Sequence, residues 1–153
     1  MTKIERHLSK GLYGYEDVKV GDKYSTPSLP ITAQIIDTFA NLTGDRFEIH
    51  MDEEAAKRHG FSGRVAHGLL ILSLVDGLKN QADVQFKAQA SLGWNWRFSA
   101  PVVIGDTIKS SVRILDISAP KSRERAIISL DFAVTNQHGK MVQEGANKLM
   151  VYK

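Results

Sequence analysis

The sequence predicts an α+β fold in which a central helix is wrapped by a curved antiparallel β-sheet. Three observations carry that expectation. Apolar residues in the first half recur at helical spacing, Gly68 to Leu78 is a short and nearly all-apolar run, and the second half switches to a two-residue alternation. At 153 residues and 17.0 kDa the chain has the length of one domain, 1–153, with residues 1–14 read as a polar N-terminal extension.

After that lead-in, Gly21-Asp22 is a turn signal before a short segment around Tyr24. Pro27 and Pro30 restrict the backbone, and Thr32 can cap a helix whose Ile35, Ile36, Phe39 and Ala40 share a face. Thr43-Gly44-Asp45 interrupts it. Asp52 suits the cap of the next helix, with Glu53 and Glu54 at its positive end, Lys57, Arg58 and His59 at the other, and Gly60 to stop it. The polar loop from Asp45 to His50 is thereby held between two short helices. The Gly68–Val75 run, continued by Asp76-Gly77-Leu78, is too short to cross a bilayer and too apolar for a surface helix, which predicts a buried helix covered by a sheet.

Strands follow. Leu92, Trp94, Trp96 and Phe98 alternate with smaller or polar residues, Ile108, Val112 and Ile114 repeat the pattern after a Gly105-Asp106 turn, and Ile128, Leu130, Phe132 and Val134 form a third run. Met141 to Tyr152 supplies the last strand, with Gly145 as a bulge or a point of close approach. The aromatic stripe has two readings, core packing or the wall of a ligand channel.

Composition removes several function classes. There is no cysteine, hence no disulfide, thiolate metal site or cysteine nucleophile, and a cytoplasmic location is expected. The net charge of +3 and pI near 9.2 are mildly favourable for a phosphate-bearing partner, but no concentrated basic block points to nucleic acid. No segment has the apolar length for membrane insertion, and neither metal nor redox cofactor is expected.

Asp45 and His50 are the most useful pair for proton transfer. Five residues apart, they do not share one helix face, but a bend over Arg46 to Ile49 lets a carboxylate and an imidazole converge on one water. Asp45 would accept a proton from that water while His50 donates or relays one. Two structural readings stand beside this: Asp45 as a turn or capping residue, and His50 as a satisfied half-buried histidine. Ala66-His67-Gly68 lies just before the apolar run, where free N–H groups and the helix dipole suit a carbonyl that gains enolate character. Gly68 is the favoured donor because it lets substrate approach closely, and an ordinary tight helix start is the other reading. His67 orients the turn and receives no proton-transfer role.

At this point the chain resembles the MaoC-like, R-specific enoyl-CoA hydratase family with a hot-dog fold. Phe39 to Asp52 resembles its catalytic segment, Gly63 to Leu70 its second signature, and Phe98 to Asp106 its strand-and-turn pattern. The resemblance implies Asp45 and His50 as a catalytic dyad and the Gly68 N–H as oxyanion-hole donor. It also implies addition of water to a trans-enoyl thioester to give an R-3-hydroxyacyl thioester, the reverse dehydration, coenzyme A as part of the substrate, and a homodimer. One departure is visible: family members often carry Asn-Pro where this chain has Phe47-Glu48. Phe47 and Glu48 are therefore candidate substrate contacts, Glu48 being alternatively a solvated loop residue. Asp76, two turns beyond Gly68, is a further candidate. Lys121, Arg123 and Arg125 are candidates for the coenzyme A phosphates or a solvated charge cluster. Two other functions fit the resemblance less well, a hot-dog thioesterase and a noncatalytic thioester-binding or dimer-partner subunit.

Overall fold

The computed structural model describes residues 5–118 and 124–153. Short strands β1 (Gly11–Tyr13), β2 (Lys23–Ser25) and β3 (Leu29–Pro30) lead into helices α1 (Ala33–Thr43), α2 (Glu48–Met51), α3 (Glu53–Arg58) and α4 (Gly68–Lys79). Strands β4 (Val84–Phe86), β5 (Ala88–Phe98), β6 (Thr107–Ser118), β7 (Arg125–Thr135) and β8 (Met141–Tyr152) complete the chain. The main sheet is antiparallel in the order β2-β6-β7-β8-β5, with β3 also on β6, and β1 pairs with β4 in parallel.

The local chemistry behaves as the sequence dictates. Thr32 Oγ1 accepts from the Ile35 N–H at 3.3 Å to start α1, and Asp52 Oδ1 accepts from the Ala55 N–H at 2.8 Å to start α3. In β7, Ala126, Ile128, Leu130, Phe132 and Val134 are all buried, as a period of two requires. Gly145 is a point of close approach and not a bulge: a Cβ there would lie 2.1 Å from the Asn95 carbonyl oxygen, and Gly145 stays in register with Trp96. Trp94, Trp96 and Phe132 pack together, with centroids of the two tryptophans 5.3 and 6.0 Å from Phe132, so the tryptophans of the stripe join the core, whereas Phe98 at its end is exposed and borders a cleft.

One expectation is overturned. The fold is α+β and hot-dog-like, but its sheet neither closes nor curls strongly, so α4 is not wrapped. β2 and β5 are the two ends of an open sheet. β2 and β3 are only 3 and 2 residues long, too short to carry the sheet around a helix. Helix α4 instead lies with Leu70, Ile71, Val75 and Leu78 buried in the core, while Leu69 is 62% exposed and Ser73 faces solvent. A nearly unbroken apolar run conceals this sidedness, because its leucines occupy both faces.

Candidate active site

The site begins where α1 stops. Gly44 ends the helix at φ +79°, a left-handed conformation in which glycine pays no steric cost, and its N–H bonds the Ala40 carbonyl at 2.9 Å. Thr43 Oγ1 donates to the Phe39 carbonyl at 2.8 Å and accepts from the Asp45 N–H at 3.2 Å. Asp45 Oδ1 in turn accepts from the Phe47 N–H at 3.2 Å, an Asx turn that aims the chain into α2. His50 therefore stands on a helical turn, not in the open loop read from the sequence.

His50 is 9% exposed, and its Nδ1 lies 2.7 Å from the Val65 carbonyl oxygen. A carbonyl only accepts, so Nδ1 carries the hydrogen and the neutral ring keeps Nε2 as an acceptor. Burial holds this imidazole below its ordinary value of 6.5; the His67 neighbour pushes the same way, while the Val65 bond and the Asp45 charge oppose. Arg64 fixes the turn from behind, donating from Nε to the His50 carbonyl at 2.6 Å and pairing with Asp37 of α1.

His67 is 2% exposed and its Nε2 donates to the Asp45 carbonyl at 2.8 Å. Its ring stacks on that of His50, centroids 3.9 Å apart at 26°, with Phe39 on it at 4.9 Å. One ligating atom each from Asp45, His50 and His67 lies within 4.8 Å of the others. Metal coordination needs lone pairs that converge, whereas the stacked rings of His50 and His67 direct theirs along planes only 26° apart. The arrangement suits a held water better than an ion.

Gly68 opens α4 and lines a cleft of about 360 Å³ together with His50, Ile71, Phe98 and Gln143. A Cβ on Gly68 would sit 2.3 Å from the Phe98 ring, so glycine is what lets the two meet. Gln143, 2% exposed, accepts from Trp96 Nε1 at 2.7 Å and donates to the Gly68 carbonyl at 3.0 Å, fastening the start of α4 to β8. A larger open cleft of about 470 Å³ borders Arg6, Lys19, Asp22 and Arg113, but it has no histidine and Arg6 already engages its buried acid, Asp22.

The remaining candidates scatter. Phe47 is 55% exposed and presents its ring to both His50 and His59 at 6.1 and 6.2 Å. Glu48 is held by His59 at 2.8 Å and Arg58 at 4.0 Å. Asp76 pairs with Lys79 at 2.7 Å and is not among the residues that line the His50 cleft. Arg125 donates to Gln89 at 2.6 Å at the start of β7, and Lys121 and Arg123 lie outside the described residues. Sequence reasoning missed Gln143, Arg64 and the stacking of His67; Arg64 and His67 lie inside a recognised signature, whereas Gln143 gave no signal.

Residues 17–132 match the MaoC like domain family. The chain is 41% identical to Protein MaoC of Klebsiella aerogenes over 62% of its own length, and spans 28% of that longer protein. It is 31% identical to an (R)-specific enoyl-CoA hydratase of Rhodospirillum rubrum, covering 92% of both chains. It superposes on the crystal structure of the MaoC-like dehydratase from Rhodospirillum rubrum with a TM-score of 0.83 and 28% identity, over 92% of this chain and 97% of that one. No helix among the described residues is long and apolar enough to cross a membrane. The chain belongs to the MaoC-like hydratase and dehydratase family of hot-dog-fold lyases.

Proposed function

We propose that this protein reversibly hydrates a trans-2-enoyl thioester, carried on coenzyme A, to the R-3-hydroxyacyl thioester. The observation that carries the reading is the Asp45 and His50 pair, whose carboxylate oxygen and one ring nitrogen lie within 4.8 Å, a span one water bridges with two ordinary hydrogen bonds. The Val65 bond protonates His50 at Nδ1 and leaves Nε2 as an acceptor, which moves the proton-accepting role given to Asp45 from sequence onto His50: as the water oxygen bonds to the β carbon, Nε2 takes its proton, and Asp45 holds the other hydrogen and steadies the imidazolium. The electrons of the double bond move toward the thioester, whose oxygen is stabilised by the Gly68 N–H at the positive end of α4. His50 then returns the proton to the α carbon, so one water is added and no proton is left over. Dehydration retraces the same path.

The relative's printed activity, (R)-specific enoyl-CoA hydration, supports the R product and the coenzyme A carrier. The homodimer is part of the same reading. Among the described residues β5 pairs in the sheet with β8 alone, and Leu69, Leu92 and Phe98 are 62, 49 and 57% exposed, apolar area that a second copy would cover. Phe47 is exposed beside His50, where its open face suits an acyl chain, while Glu48 is a candidate as a departure from the family pattern, Asp76 by its place on α4 and the basic cluster by its charge. The test is chiral chromatography of the product formed from crotonyl-CoA. R-3-hydroxybutyryl-CoA is expected, and the S product or free crotonate contradicts the assignment.

A further inference from the structure

We propose that His67 is a positioning residue for this hydration: its Nε2–H anchors the Asp45 backbone, and its flat face fixes the His50 ring. The inference rests on the dyad reading above and adds a residue to it. Four observations meet at this side chain. Because a carbonyl accepts only, the 2.8 Å contact with the Asp45 oxygen makes Nε2 the protonated nitrogen of His67. Its Nδ1 is buried and has no hydrogen-bond partner. The ring is stacked on His50 at 3.9 Å and closed in by Phe39 at 4.9 Å. Finally, His67 immediately precedes Gly68, so one residue touches the acid, the imidazole and the start of α4.

An orphaned buried nitrogen is costly, and a hydrophobic side chain of similar volume would avoid it. What an apolar ring cannot do is donate to the Asp45 carbonyl. That bond ties the segment bearing the carboxylate to the α4 end of the cleft, at the residue whose hydroxyl-braced N–H already holds it on the α1 side. The charged or titratable groups facing the pair are Asp45, whose carboxylate lies within 4.8 Å of a nitrogen of each ring, and Arg64, whose guanidinium bonds the His50 carbonyl. A second imidazole stacked on His50 holds the plane of that ring, and the Val65 bond then sets its orientation within the plane, with Nδ1 on the carbonyl.

The variants separate the two contributions. His67→Phe keeps a flat ring and removes the donor; His67→Gln removes the ring and keeps a terminal amide that reaches the same carbonyl. With both folded by thermal melting, His67→Phe is expected to lower kcat on crotonyl-CoA about 100-fold, the scale of a 1 Å misplacement, with KM within about 3-fold. His67→Gln should restore at least 10-fold of that loss. Equal activity of all three proteins, or a loss confined to KM, overturns the proposal. Nitrogen-detected NMR of the histidine rings reads the same claim without any substrate, which separates its failure from failure of the hydratase assignment. The expected wild-type spectrum has His67 protonated at Nε2 and His50 at Nδ1, with the His50 signal broadened or its tautomer mixed in His67→Phe. Protonation of His67 at Nδ1, or an unchanged His50 signal in that variant, refutes it even if crotonyl-CoA proves a poor substrate.

Discussion

Gly68→Ala puts the proposed oxyanion donor under a direct physical test. A Cβ at this position would meet three Phe98 ring atoms at 2.3, 2.5 and 2.6 Å. Ordinary carbon contacts lie near 3.5 Å, so the ring must retreat by about 1 Å. Phe98 is 57% exposed at the end of β5, so within its own protomer it has room to do so. Displacing it costs about 1–2 kcal/mol, while alanine in place of glycine in a helix returns up to about 1 kcal/mol. The net change is thus about 0–2 kcal/mol, a melting shift of a few degrees. Catalysis is expected to lose far more, since the methyl group is added to the wall of the cleft that Gly68 and Phe98 share, beside the proposed donor. Losing one such donor lowers kcat by about 100- to 1,000-fold. Thermal melts beside initial rates on crotonyl-CoA measure the two effects separately. A folded variant with kcat within about threefold of wild type would refute the placement of the thioester oxygen at Gly68.

Three further outcomes follow from particular residues. Asp52→Ala removes the cap of α3, whose Oδ1 accepts from Ala55, and should cost about 1 kcal/mol; an unchanged denaturation midpoint would show the cap to be idle. Burial holds His50 below 6.5, so the base form persists down to that pH: the acid limb of kcat/KM is expected below 6.5, and a limb above it contradicts the neutral-base role. The Asp22 carboxylate is held below its ordinary 3.8 by its hydrogen bond from Arg6, so its contribution to stability is present above 3.8 and lost as pH falls through the lowered value. Arg6→Ala should therefore move the acid-unfolding midpoint, followed by tryptophan fluorescence, to higher pH, and an unmoved midpoint shows that the pair does not stabilise the fold.

Much of the fold was legible because local chemistry specified it. Thr32, Gly44, Asp52 and Gly60 mark helix ends by their own side chains or their lack of one, and the two-residue alternation of β7 reports its buried face directly. The parallel pair of β1 and β4 carried no such mark, since three residues of each give no period to detect. Sheet curvature was misread for a different reason. Hydrophobicity along α4 says how much area wants cover, but not whether a sheet of the same chain or something else supplies it.

The site divides in the same way. Asp45, His50 and Gly68 are close in sequence and sit at a helix stop, a helical turn and a helix start, so their type and spacing made them candidates. Gln143 reaches the Gly68 carbonyl from 75 residues away through the β5–β8 register, and no local pattern announces it. The stacking of His67 on His50 is likewise a product of tertiary packing between α2 and the start of α4. Glu48, which stands out by sequence, turns out to be occupied by His59 and Arg58.

The most direct measurement follows the enoyl-thioester absorbance of crotonyl-CoA with wild-type protein, Asp45→Asn and His50→Ala, each shown to be folded. Wild type should consume the enoyl signal, and each variant should lose at least about 100-fold in kcat/KM, as expected when a group moving the proton is removed. Both variants working at the wild-type rate would contradict the dyad, and a folded wild-type protein inert toward short, long and polar enoyl-CoA substrates would contradict the hydration of coenzyme A thioesters itself.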